Sequence, residues 1–290
     1  MHRLALGTVQ FGLNYGIANT SGQVEQNEAM RILALAKAAG LDTLDTAIAY
    51  GSSETALGRI GVKDWRIVSK LPALPAGCAD VAAWVQEQAQ ASLDRLGVDR
   101  LHGLLLHRPD QLFDANGAAY LAALQALKAR GLVCKLGVSI YAPQELERLF
   151  DLCEFDIVQA PLNILDDRIV ASGWVLRLNQ AGVELHTRSA FLQGLLLMPA
   201  QKRDGKFDRW SGIWQTWSVW LDKSGLSPLQ ACLAYALSVD GVDKILVGVD
   251  SAEQLREILK AASASFPGNQ PEWPEPPPEQ LVNPALWNQL

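Results

Sequence analysis

The sequence predicts an α/β protein, a single-domain (β/α)8 TIM barrel. Three observations carry that expectation. Short apolar runs alternate with longer amphipathic stretches through eight successive units. Some of the short runs are apolar without alternation, as at Leu104 to Leu106 and Ile245 to Val247, the pattern of strands buried on both faces. Finally, 290 residues leave room for a barrel of about 250 residues plus an insertion and a tail.

In chain order, Leu4 to Leu6 forms the first strand. Glu25 to Ala39 follows as a helix, with Ala29, Ile32, Leu33 and Ala36 at helical spacing and Gly40 as its stop. Thr43 to Asp45 is a strand, and Ser53 to Ile60 a helix capped by Ser52 or Ser53. The next two units pair Arg66 to Lys70 with Asp80 to Leu96, and Leu101 to Leu106 with Ala118 to Arg130; Gly97 and Gly131 end their helices. Leu136 to Ser139 precedes a helix from Pro143 to Asp151, where the proline suits a first turn. Ile157 to Ala160 leads to one helix from Ile169 to Ala181. Val183 to Thr187 is the seventh strand. After an insertion, Pro228 to Ser238 is a helix, Lys244 to Val247 the last strand and Ala252 to Ala262 the last helix. An open doubly wound sheet is the rival, but Gly7, Gly12 and Gly16 do not have its GxGxxG spacing.

The insertion runs from about Gly194 to Ser227. Trp210, Trp214, Trp217 and Trp220 recur in it at helical spacing, as on the buried face of an extra helix; one of these rings reaching a substrate is the alternative. QPEWPEPPP, from Gln270 to Pro278, excludes regular structure. The division is therefore a barrel domain over 1–268 and an extended Pro-rich tail over 269–290 packed on it.

A net charge of −6 argues against nucleic acid or an anionic membrane as partner. No apolar run approaches the roughly 18 residues of a membrane span, and the N-terminus lacks the pattern of a signal peptide. The cysteines Cys78, Cys134, Cys153 and Cys232 lie far apart and are expected as reduced thiols in a cytoplasmic protein. His and Cys residues lack ligand spacing, so no metal is expected.

In such a barrel the chemistry gathers at the C-terminal ends of the strands. There the chain puts Asp45 and Tyr50 after the second strand, Lys70 at the end of the third and His107 after the fourth. Singly, each has a plainer reading: a turn carboxylate, a packing ring, a solvated charge. Together they form a chemical device. A lysine beside Tyr50 would lower the phenol's pKa, Asp45 would balance the lysine, and His107 would orient a carbonyl oxygen. The set suits a carbonyl reduction, with hydride going to carbon and a proton to oxygen.

At this point the sequence resembles the aldo/keto reductase superfamily. DTLDTAIAYGSSETALG is similar to its second-strand signature, VSK at Val68 to Lys70 to its lysine segment, and LLLHRPD at Leu104 to Asp110 to its histidine segment; LALGTVQFG resembles its first strand. The resemblance spans about Leu4 to Ala262. It implies a nicotinamide cofactor stretched across the rim, a small carbonyl substrate, and catalytic roles for Asp45, Tyr50, Lys70 and His107.

For the cofactor, the resemblance implies Ser139 and Gln159 at the carboxamide, with Ile140 where the family has Asn; Asn163 is a further candidate or a turn residue. Arg188 takes the place of a ring that stacks on nicotinamide. Ser189 to Leu196 continues as a belt over the pyrophosphate, where Gly194 allows close approach. Gly248, Asp250, Ser251 and Gln254 mark the adenosine segment, where a free helix N-terminus suits a phosphate. The family's habit puts NADP(H) ahead of NAD(H), although Gln254 in place of Arg and the charge of Asp250 leave NAD(H) open. Two other functions remain at this stage: a cofactor-binding, redox-sensing regulatory subunit of the same fold, and a barrel aldolase with Lys70 as Schiff base.

Overall fold

A computed structural model describes residues 2–290. Among these, eight parallel strands close into a barrel in sequential order. They are β1 Leu4–Gly7, β2 Thr43–Asp45, β3 Arg66–Leu71, β4 Leu101–Leu106, β5 Val133–Ser139, β6 Ile157–Pro161, β7 Glu184–Arg188 and β8 Lys244–Gly248. The surrounding helices are α1 Gln26–Ala38, α2 Ser53–Ile60, α3 Val81–Leu96, α4 Gly117–Ala129, α5 Glu145–Leu152, α6 Arg168–Ala171, α7 Trp174–Gln180, α8 Ser211–Ser224, α9 Pro228–Ser238, α10 Ala252–Ala261 and α11 Glu279–Val282.

Local chemistry accounts for where the helices begin and end. The Asp80 side chain accepts from Ala83 N at the start of α3, and Gly97 closes that helix in the left-handed region. Ser227 and Gln230 cap α9 reciprocally, with Pro228 in its first turn. Inside the barrel, Val68, Leu105 and Ile157 are sealed from water. The larger core lies between the strands and the outer helices.

Three details depart from the sequence expectations. The single helix expected from Ile169 to Ala181 is two, α6 and α7, broken at Gly173, whose φ of 77° leaves the helical region. Regular structure is absent from 270–278, but the chain then forms α11 and a 3-10 turn at Pro284–Gln289 rather than staying extended. Apolar groups drive this: Leu281, Val282 and Trp287 are buried, and Trp287 meets the Phe207 ring edge-on at 5.0 Å. Third, Trp210 precedes the insertion helix α8 instead of lying within it. All four insertion tryptophans are buried, with indole N–H groups of Trp214, Trp217 and Trp220 donating to Phe207 O, Leu196 O and Asn269 O. They pack the helix over the barrel.

His186, on β7, points into the barrel. It shares Glu184 with His102 of β4 and Lys135 of β5, a meeting that only the interior permits. No helix among the described residues is long and apolar enough to cross a membrane.

Candidate active site

Parallel register sets the site. Gly7 pairs with Asp45 on one side and Gly248 on the other, so β1, β2 and β8 end at one level. Above them opens a cleft of about 370 Å³. Asp45, Tyr50, Gln159 and Arg188 line one part of it; Gly248, Asp250, Gln254 and Glu257 line another.

Asp45 ends β2 and is buried, as is Lys70 near the end of β3. Lys70 Nζ donates to Asp45 Oδ1 at 2.6 Å and to Thr46 O at 2.9 Å. Gln159 Nε2 donates to the other carboxylate oxygen at 2.7 Å. Two strands thus neutralise one carboxylate, which is what a buried charge requires. Lys70 lies outside the cleft lining, and two of its three ammonium donors are engaged. A Schiff base there would have to break both bonds and leave Asp45 unpaired, which argues against the aldolase reading.

Tyr50 sits on the β2–α2 turn, where its N–H donates to Ala47 O at 3.0 Å and its own carbonyl accepts from Ser53 N at 3.0 Å. Ser53 Oγ donates to Thr8 O at 2.8 Å and fastens the turn to β1. The β1 loop passes so near that a Cβ on Gly12 would lie 1.8 Å from Tyr50 O. Lys70 Nζ is 5.2 Å from the Tyr50 ring centre, and the His107 ring meets Tyr50 edge-on at 6.0 Å. The three groups are therefore neighbours, as the strand-end placement implied.

The electrostatics differ from expectation in one respect. Burial raises the Tyr50 pKa, the Asp45 charge raises it further, and the opposing charge is that of Arg188. Burial likewise lowers the Lys70 value against the support of Asp45. His107 is pushed down to about 4, by burial first and then by Lys70, and is neutral at pH ~7.

The remaining expected residues divide. Ser139 is buried behind the lining, its Oγ 3.4 Å from Gln159 Oε1, where it orients the glutamine. Asn163 is a turn residue: Oδ1 accepts from Leu165 N and Asp166 N, and Nδ2 donates to Ser189 O. Ser189 has φ 65°, and Leu192, Gln193 and Gly194 also have positive φ, so the belt segment opens on strained backbone. Gly194 is needed there because a Cβ would lie 2.4 Å from Ala18 Cβ in the β1 loop.

The helix N-terminus expected to receive a phosphate is already occupied. Ala252 N donates to Glu28 Oε1 of α1 at 2.7 Å, and Gln254 N to Ser251 Oγ at 3.2 Å. Packing of α1 beside α10 brings that carboxylate there, which the linear sequence does not reveal; Ser251 is outside the lining.

Sequence reasoning missed Gln10 and Asn19, and it named Gln193 only within the range of the belt. All three line the cleft; Asn19 Nδ2 donates to Asp250 Oδ1 at 3.2 Å, and Gln193 Nε2 to Tyr15 Oη at 3.2 Å. Their loops meet across the opening. Lone polar residues in irregular segments carry no periodic signal. Among the described residues, no cluster of His, Cys, Asp and Glu is placed to hold a metal ion.

A D-threo-aldose 1-dehydrogenase from a Pseudomonas species is 24% identical, across 91% of this chain and 92% of that protein. An aldo-keto reductase of Mycolicibacterium smegmatis is 31% identical over 144 residues, which are 46% of this chain; the match spans about half of that relative, 47%. Among solved structures, an aldo-keto reductase from Bacillus halodurans in its holo form aligns with TM-score 0.70 and 20% identity, covering 91% of this chain and 87% of its own, a likeness of fold. The model for the aldo/keto reductase family matches residues 3–271, from the first strand past the last barrel helix, and on that match the chain belongs to this family of oxidoreductases.

Proposed function

We propose that the protein reduces an aldehyde or ketone, sugars included, to the alcohol, or runs the reverse oxidation, with a nicotinamide dinucleotide. The observation that carries this reading is Tyr50 and Asp45 together at one end of a cleft, with Lys70 held beneath them. A dinucleotide fits the residues present. The cleft is lined from Tyr50 to Asp250, the glycines Gly7, Gly194 and Gly248 put backbone on its wall, and Gln10 Oε1 within it is buried without a partner. Gln159, Ser189, Gly194, Gly248, Asp250 and Gln254 would hold it, while Ser139 orients Gln159. When bound, the cofactor supplies a hydride to the carbonyl carbon.

The chain's own residues do the rest. Tyr50 is protonated at neutral pH, and its hydroxyl holds the proton that passes to the carbonyl oxygen. Neutral His107 has a ring N–H to orient the same oxygen. As the phenol loses its proton, the nearby cations offset the charge left behind: the Arg188 guanidinium, and the Lys70 ammonium that Asp45 keeps in place.

The family's habit favours NADP(H), but the lining near Asp250 favours NAD(H). Asp250 and Glu257 are there, Glu28 is close behind, and no Lys or Arg of the described residues lines that end. Such a surface accepts a ribose hydroxyl and repels a 2′-phosphate. Loss of reduced-nicotinamide absorbance with NADH or NADPH and a panel of aldehydes, ketones and aldoses tests the whole reading. A protein that binds the dinucleotide and turns over none of them is the redox-sensing subunit instead. The thiols, all unpaired, fit a cytoplasmic setting.

A further inference from the structure

Two arginines on the catalytic face of the barrel have carboxylate partners. Arg108, just after β4, pairs with Asp110 at 3.2 Å. Arg168, which opens α6, grips Asp166 through Nε at 2.6 Å and Nη2 at 2.8 Å. Arg188, the last residue of β7, has no such partner among the described residues. Its Nη2 donates to Ile140 O at 2.9 Å and its Nη1 to Ser189 Oγ at 3.2 Å. Its guanidinium lies over the Tyr141 ring, 4.7 Å from the centre. This partly buried cation lines the cleft together with Tyr50.

A guanidinium carries five N–H donors, and only two are engaged here. Holding a cation partly out of water without a counter-charge is costly. The charges around it do not supply one: Asp45 is neutralised by Lys70, Asp166 by Arg168, and His107 is uncharged. The Tyr50 end of the cleft therefore carries one uncompensated positive charge in a fork that matches an oxyanion.

Resting on the reductase reading above, we propose that the favoured substrates are carbonyl compounds bearing a carboxylate, such as aldehyde acids, oxo acids and sugar acids, and that Arg188 receives the carboxylate while Tyr50 faces the carbonyl oxygen. The cofactor's pyrophosphate offers similar chemistry. The guanidinium, however, is turned toward Ile140 and Tyr141 after β5, away from Gly248 and Asp250 after β8.

The test compares succinic semialdehyde with its methyl ester, which differ by one charge, using NADH and NADPH in turn. The acid is expected to have a kcat/KM higher by about tenfold or more, the scale of a charge-assisted hydrogen bond. Because both substrates are measured on each protein, losses common to both cancel in the ratio. Arg188→Met should bring the ratio close to one, and Arg188→Lys should restore part of it. Equal rates for acid and ester in the unaltered protein, or a ratio unchanged in Arg188→Met, overturn the proposal. So does an Arg188→Met variant that only binds NADH more weakly, which assigns the guanidinium to the pyrophosphate. If neither compound is reduced, turnover of the wider panel of aldehydes, ketones and aldoses judges the reductase reading separately. Succinate binding to the cofactor-loaded protein, followed by tryptophan fluorescence, then decides: affinity lost in Arg188→Met supports the anion site, and no affinity in the unaltered protein sinks it.

Discussion

Lys70 Nζ lies 2.6 Å from Asp45 Oδ1, the lysine side chain 1% exposed and the aspartate 6%. Neither charge is tolerable alone at such burial. Asp45→Asn should therefore destabilise the protein by about 3–5 kcal/mol, the usual cost of stranding a buried charge. Lys70→Met should cost a similar amount, because Asp45 would keep only Gln159. The double variant should regain most of the loss while remaining inactive. Urea unfolding of the three variants checks this; additive losses in the double variant would show that the two charges are not coupled.

Tyr50→Phe removes one hydroxyl from the cleft wall and leaves the ring beside His107 and Lys70. Carbonyl reduction should fall by about 10²–10⁴-fold, the range of a general acid. Cofactor affinity should change by no more than about twofold, a small loss on that scale. Turnover within about threefold of the parent would remove Tyr50 as the donor.

The barrel was legible because parallel strands and outer helices impose distinct periods, and because glycine, serine and proline mark their ends. Asp45, Tyr50, Lys70 and His107 were legible for a related reason: each stands at or just beyond a strand end, so strand order places it. What stayed hidden depends on contacts between distant segments. Glu54 shows this. It stands in the first turn of α2 and is buried, accepting from Ser69, Ser92 and Arg95. Glu28 at the start of α10 and the rise that Asp45 causes in the Tyr50 pKa are of the same kind. Both arise from side chains meeting through space, with no trace in local spacing.

Gly12 tests how closely the β1 loop positions the catalytic turn. An added Cβ would meet Tyr50 O at 1.8 Å and Ser53 N at 2.4 Å, and both are backbone atoms that cannot rotate aside. Gly12→Ala must push the two loops apart and carry Tyr50 with them. A displacement of about 1 Å at a reacting group costs on the order of 10²-fold in rate. The expected result is a large fall in kcat with secondary structure by circular dichroism unchanged. Near-normal turnover would show that the loops separate without moving the hydroxyl.

His107 gives the protein a definite response to acid. Its pKa is lowered from 6.5 to about 4, so between those values the unfolded chain takes up a proton that the folded one refuses. Stability must then decline as pH falls from ~6.5 toward ~4, and His107 contributes no slope above that window. His107→Gln removes the titrating group. Its melting temperature should drop less steeply than the parent's across the window, whatever the offset between the two at pH ~7. The same lowering keeps the ring neutral during turnover, so the parent's rate of reduction should show no inflection near pH 6.5. Parallel melting curves for the two proteins, or a rate inflection near 6.5 that vanishes in His107→Gln, would mean that the imidazole is far better solvated than its place beside Tyr50 implies.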